Sequence, residues 1–336
     1  MQLPMAPSTP AAAPLELYDV AELAAEVRAL AQERDAVILA HNYQLPEVQD
    51  VADYVGDSLG LSRQAAAADA SVIAFCGVHF MAETASVLSP QKTVLIPDLD
   101  AGCSLADAIT PEQLGAWQAK HPGAITVMYV NTTAEIKAMT DYCVTSANAV
   151  SVVQHILREH GSDTEILFGP DMFLGAYVER TIGRSLHVWD GECHVHAGIR
   201  PRDIAQVRAE HPGADFLIHP ECGCSTSVME YAASGDIDPE GVHMLSTGGM
   251  LRYADDAQPG QTAIVATEIG MLHPLREAAP DTEFIAANER AACTYMKMIT
   301  LPKLRDCLRD VVFEVKVPED VAERARVPIE RMVAIS

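Results

Sequence analysis

Basic residues are scarce in this chain: 23 Lys+Arg face 47 Asp+Glu, a formal charge of −24 over 336 residues. A field of that sign repels polyphosphate backbones and anionic lipid surfaces, which argues against nucleic-acid or membrane-surface binding. Long apolar runs are missing as well. Nothing approaches the run of about 18 apolar residues that spans a membrane, and the greasiest stretches, Ala36–Ala40 and Ala214–Ile218, have strand length. No basic leader precedes an apolar segment at the start. Residues 1–15, rich in Pro and Ala, read as a disordered tail, and a cytoplasmic location is expected. What the chain does have is 49 % hydrophobic residues, enough for two or three domains with cores. Its eight cysteines are expected to be free thiols in a reducing cytosol, so metal or redox use has to be weighed.

Strand-like runs that end in polar residues recur at a spacing near ninety residues. Ile38-Leu39-Ala40 leads into His41-Asn42-Tyr43, Val127-Met128 into Tyr129-Val130-Asn131, and Leu217-Ile218 into His219-Pro220-Glu221, at offsets of 88 and 90. Hydroxyl-bearing turns follow at Ser58, Ser146 and Ser246, then junctions at Ile73–His79, Ile166–Asp171 and Ile264–Ile269. Fourth runs close the copies at Val94–Pro97, Leu186–Trp189 and Glu283–Ala286. Amphipathic stretches such as Pro111–Lys120, Asn148–Glu159 and Pro201–Glu210 alternate with these runs, the pattern of βαβ units with parallel strands. The expected architecture is α/β: three homologous three-layer α/β/α domains with parallel sheets about a pseudo-threefold axis. Their expected spans are 16–105, 106–195 and 196–294, with the C-terminal segment 295–336 joining the first.

In open parallel sheets ligands bind beyond the carboxyl ends of the strands. The pairs His41/Tyr43, Tyr129/Asn131 and His219/Glu221 occupy those ends, and their i, i+2 spacing points both members of a pair to one side. Three domains about a common axis would aim all six at one cavity. Cys103, Cys193 and Cys293 each lie just after the fourth run of a copy, 90 and 100 residues apart. One thiolate from each repeat suits a cubane [4Fe–4S] cluster whose fourth iron keeps an open position. Cys76, Cys143 and Cys307 share no such phase and are expected in the core, while Cys222-Gly223-Cys224 is a weak rival metal or redox pair.

Together with Gly56-Asp57-Ser58-Leu59, Thr145-Ser146-Ala147-Asn148-Ala149, Phe168-Gly169-Pro170-Asp171 and Thr267-Glu268-Ile269-Gly270, the strand-end motifs make the chain resemble the quinolinate synthase family from about Val37 to Met332. The resemblance implies condensation of iminoaspartate with dihydroxyacetone phosphate to quinolinate, with loss of phosphate and water, in de novo NAD biosynthesis. It implies a [4Fe–4S] cluster on three cysteines, which map by motif to Cys103, Cys193 and Cys293, and a functional link to an L-aspartate oxidase that supplies the imine. Some members carry a C-x-x-C-x-x-C run near the third ligand. Here the two preceding positions are Ala287 and Arg290, so no accessory disulfide is supported.

Roles follow from position and chemistry. Glu221 is the expected principal base, with His219 and Tyr43 as the other catalytic groups, and burial is expected to raise the Glu221 pKa into a useful range. His41, Ser58, Tyr129, Asn131, Ser146, His194, Ser246 and Thr247 are the expected substrate-binding residues; the hydroxyls also fit ordinary helix N-caps. His196 has weaker support, and His79, His155, His160 and His243 are expected to be structural. Two other readings remain open: a zinc hydrolase or lyase using His41, His194, His196 and His219, and an iron–sulfur redox sensor.

Overall fold

The computed structural model describes residues 19–234 and 240–335, so the expected tail at 1–15 lies outside the described residues. Among the described residues, twelve strands form three separate sheets. The first contains β1 (Ala36–His41), β2 (Tyr54–Gly56), β3 (Val72–Cys76) and β4 (Thr93–Leu95). The second contains β5 (Ile125–Tyr129), β6 (Tyr142–Val144), β7 (Ile166–Gly169) and β8 (His187–Val188). The third contains β9 (Asp215–Ile218), β10 (Val242–Met244), β11 (Thr262–Ala266) and β12 (Glu283–Ala286). Their orders are β2-β1-β3-β4, β6-β5-β7-β8 and β10-β9-β11-β12, one arrangement used three times, with every pair parallel. The three-sheet α/β architecture read from the repeat is therefore present.

The central strands are mostly apolar, as parallel strands with helices over both faces require. β1 reads Ala-Val-Ile-Leu-Ala-His and is buried from Val37 onward. Local sequence sets the helix starts. Thr110 and Gln113 form a capping box ahead of Pro111–Lys120, and Asp57 caps Ser58–Ala67 by accepting from the Gly60 N–H at 2.7 Å. The helix Pro201–Glu210 has the expected bounds, whereas the Asn148–Glu159 run forms a helix at Ala149–His160 and the Leu186–Trp189 run pairs only over His187–Val188.

The C-terminal segment divides its contacts between two sheets. Val94 accepts from the Val315 N–H and Phe313 from the Ile96 N–H, alongside a bridge between Leu95 and Glu314 on the first sheet's edge. The terminal helix Glu319–Ala334 then packs on β6 of the second sheet and on the helix His79–Leu88 of the first. Asn148 holds its end. The Asn148 side-chain amide donates to the Met332 and Ile335 carbonyls at 2.9 and 2.8 Å and accepts from the Thr145 N–H at 2.8 Å. Thr145-Ser146-Ala147-Asn148 is thus partly a structural motif. Asn148→Ala leaves those groups unpaired and is expected to cost about 2 kcal/mol in urea denaturation. A change within a few tenths would show that the terminal helix does not depend on this clasp.

Candidate active site

In each sheet the strand order reverses between the first strand of the copy and the third, and polar side chains leave the carboxyl ends there. They meet in one cavity lined by residues of all three copies, among them His41, Tyr43 and Ser58, Tyr129, Asn131 and Ser146, and His219, Glu221 and Thr247. Cys103, Cys193 and Cys293 line the same cavity. Ser246 does not line it. Its hydroxyl accepts from the Gly249 N–H at 3.2 Å as the N-cap of Thr247–Asp256, which leaves Thr247 to face the cavity.

A turn holds the i, i+2 pairs, so strand alternation is not what aligns them. β1 and β9 end at His41 and Ile218, and the chain then curls so that Nδ1 of the histidine accepts from the backbone N–H two residues on. The distance is 3.2 Å for His41 with Tyr43 and 3.5 Å for His219 with Glu221. An accepting Nδ1 places the proton on Nε2, and the His219 Nε2–H points at the Ser146 hydroxyl at 3.1 Å.

Glu221 lines the cavity and is buried, with 2 % exposure. Its Oε1 accepts from the Tyr129 hydroxyl, and its Oε2 lies 3.3 Å from Nδ1 of His196. Burial works against the Glu221 carboxylate, but His219 and His196 beside it, with the Tyr129 hydroxyl, outweigh burial and hold its pKa at about 2. The sequence-based expectation of a raised value is reversed because the carboxylate has partners that burial alone ignores. It is ionised at neutral pH and can accept a proton.

His196, which had weaker support in the sequence and entered only the zinc reading, is a central residue of the cavity. Its ring stacks on His219 at 4.9 Å, and its Nε2 lies 3.2 Å from the Tyr43 hydroxyl and 3.1 Å from the Thr267 hydroxyl. The Tyr43 and Thr267 hydroxyls are 2.6 Å apart, so a polar chain runs Tyr129, Glu221, His196, Tyr43, Thr267. Glu268 follows Thr267 with both oxygens occupied, one by the Cys293 N–H at 2.9 Å and one by the Gly270 N–H at 2.6 Å, and Lys297 lies about both at 3.1 and 3.2 Å. The strand-end rule applied to the third strand of the copy, β11, points straight at Thr267 and Glu268. His194 binds the Ser104 hydroxyl at 2.6 Å, joining the loops that carry Cys103 and Cys193.

Burial pushes His41 down to about 3 and His219 to about 4, with neighbouring histidines adding to the depression of both and Glu221 opposing it. Below the ordinary value of 6.5 the unfolded chain binds protons on these rings that the folded chain does not, so stability falls as pH drops from 6.5 toward 4. Glu221, depressed from 4.5, contributes stability above that value and loses it as pH falls toward 2. His196, raised against the pull of burial by Tyr43, Cys193 and Glu221, and Asp171, raised by burial, act in the opposite sense. The expected result is therefore a difference: from pH 7 to pH 5 the urea midpoint of His41→Gln moves less toward low urea than that of the wild type. Equal slopes in both proteins would mean that the His41 ring is protonated inside the fold.

The thiols pass a test of fit for a metal centre by their donor chemistry. All three are partly buried and free of disulfides, and burial first, with neighbouring Cys193 adding to it, raises the pKa of Cys103 and of Cys293, the latter to about 11. Metal binding would relieve that cost by taking them as thiolates. Cys76, Cys143 and Cys307 are buried as expected, and Cys222 and Cys224 lie in the third copy's core away from the cavity lining.

A family model described as quinolinate synthetase A protein matches residues 25–334. A quinolinate synthase of Mycobacterium tuberculosis strain H37Rv is 57 % identical over 313 residues, covering 93 % of this chain and 88 % of that protein. That of Mycobacterium sp. strain KMS is 56 % identical over 94 % of this chain and 92 % of its own length. That of Mycolicibacterium paratuberculosis is 57 % identical, with 94 % and 89 % covered.

Proposed function

Because the chain belongs to the quinolinate synthetase A family, we propose that its cavity condenses iminoaspartate with dihydroxyacetone phosphate to quinolinate, releasing phosphate and water. It is an enzyme of NAD biosynthesis. The observation that carries the reading is the gathering of three thiols and the buried Glu221 network at one cavity, with a contribution from every repeat.

Cys103, Cys193 and Cys293 fit a [4Fe–4S] cluster with three protein ligands. When bound, such a cluster supplies an open iron with Lewis-acid character toward a substrate oxygen. The protein's own residues do the rest. Condensation needs a proton taken from carbon and protons delivered to departing oxygens. Glu221, ionised and acceptor-only, takes the proton; the hydroxyls of Tyr43 and Tyr129, whose pKa values burial raises, stay protonated and donate. The His219 Nε2–H, Ser58, Ser146 and Thr247 offer donors for carboxylate and phosphate oxygens, and His41, Asn131 and His194 complete the binding set. Asn131 Oδ1 is buried without a partner, an acceptor free for a substrate N–H or O–H. An imine hydrolyses readily in water, so we assign its supply to an L-aspartate oxidase acting beforehand. No described helix is long and apolar enough to cross a membrane, and we place the reaction in the cytoplasm.

One observation favours a second reading. Donor atoms of Cys193, His196 and Glu221 all lie within 4.8 Å of one another, a set that also suits a single zinc. Anaerobic purification with iron, sulfide and zinc counts, followed by an assay for quinolinate from both substrates, separates the two. Iron with matching sulfide and quinolinate formation supports the cluster reading, and stoichiometric zinc without sulfide overturns it.

A further inference from the structure

At the opposite pole of the second sheet three side chains converge that the proposed reaction does not use. His121 ends the helix Pro111–Lys120 just ahead of β5, Glu165 immediately precedes β7, and His187 opens the edge strand β8. All three sit at the amino ends of parallel strands, away from the carboxyl ends that build the cavity. Nδ1 of His121 lies 3.7 Å from Oε2 of Glu165, and Nε2 of His187 lies 3.6 Å from the same oxygen. The two imidazole rings are 4.1 Å apart at 44°, and one donor atom from each residue falls within 4.8 Å of the others.

We propose that His121, Glu165 and His187 form a second metal site, for zinc or a similar borderline divalent ion, independent of the three cysteines. Two donors at bonding distance from a tetrahedral zinc are separated by about 3.4 Å. The two histidine–carboxylate pairs here are a few tenths of an ångström wider and the two imidazole donors lie within 4.8 Å of each other, so rotation of the partly exposed side chains is what closes the site on an ion. The donor set decides the metal class. Two imidazole nitrogens and one carboxylate favour zinc, nickel or copper over magnesium and calcium, which take oxygen ligands. Glu165 is 59 % exposed and His187 41 %, so water completes the shell and the ion exchanges with solvent. The mechanical effect is a staple. β8 is only two residues long, and the ion ties it to the turn before β5 and the entry to β7, on an edge that is otherwise weakly held.

The test is an anaerobic zinc titration of the iron–sulfur-loaded full chain against a colorimetric chelator, with thermal unfolding measured in parallel. The wild type is compared with His187→Gln and with His121→Gln/His187→Gln. The expected result is one zinc per chain at micromolar concentration, a raised melting temperature with zinc, and no competition from millimolar magnesium. His187→Gln should weaken the binding at least about tenfold, and the double variant should abolish both uptake and thermal shift. The partly exposed positions permit the glutamines to fold, and an unchanged iron count and turnover in each variant verifies it. Equal zinc uptake by wild type and double variant would put the ion elsewhere and overturn the proposal, as would wild-type binding no tighter than that of magnesium. Neither outcome bears on the cluster, since none of the three residues lines the cavity.

Discussion

Glu221→Gln should lower turnover by about a thousandfold or more while leaving the iron count and the folded state unchanged. The substitution keeps the shape of a side chain that is 2 % exposed, so little packing is lost. What disappears is the capacity to accept a proton. An amide cannot serve as a base, and its NH2 turns a donor toward the Tyr129 hydroxyl or toward His196, groups now matched to a carboxylate. Anaerobic single-turnover assays with both substrates, alongside the cluster's visible absorbance, check this. A Gln variant within tenfold of the wild type at full iron content would remove Glu221 from proton transfer. Tyr129→Phe is the companion change. It leaves the base in place but removes its donor, and a smaller loss than that of Glu221→Gln is expected.

The second large effect concerns the thiols. Cys103→Ala, Cys193→Ala and Cys293→Ala should each lose most of the about four irons per chain of an intact cluster and all measurable quinolinate formation. Each of these side chains is partly exposed to the cavity, so the alanine variants should still fold. Cys224→Ala is the control. It changes a core thiol outside the cavity lining and should keep its iron. If Cys224→Ala lost its iron while Cys293→Ala kept it, the ligand set would have to be redrawn around the Cys222-Gly223-Cys224 segment.

Much of this arrangement was legible because each repeat writes its chemistry at the same phase. An apolar run that ends in His or Tyr marks a buried parallel strand and its carboxyl end together, so parallel pairing and much of the cavity lining followed from one pattern. Cys103, Cys193 and Cys293 stood out for the same reason. His196 did not, because it comes from a single turn, His194–Ala197, with no counterpart in the periodic pattern. The Glu268–Lys297 pair was hidden in another way: its value depends on two loops meeting, and only the fold brings Lys297 to the carboxylate beside the Cys293 amide. The Glu221 pKa was misjudged because burial was weighed alone, without the neighbouring His219 or the His196 ring and the second copy's Tyr129 hydroxyl that the fold brings beside the carboxylate. Ser246 shows the converse. Its repeat phase matched Ser58 and Ser146, yet its hydroxyl is used as a helix cap, and the neighbouring Thr247 takes the cavity position.

The walls of the cavity come from three separately hydrogen-bonded sheets, with Tyr129, Glu221 and Tyr43 each standing on a different one. A molecule that fills this space touches all three bodies at once, so its binding energy also acts as adhesion between them. Inhibitor potency and heat resistance should then rise together across a ligand series, and compounds that reach only two of the walls should fall below that trend.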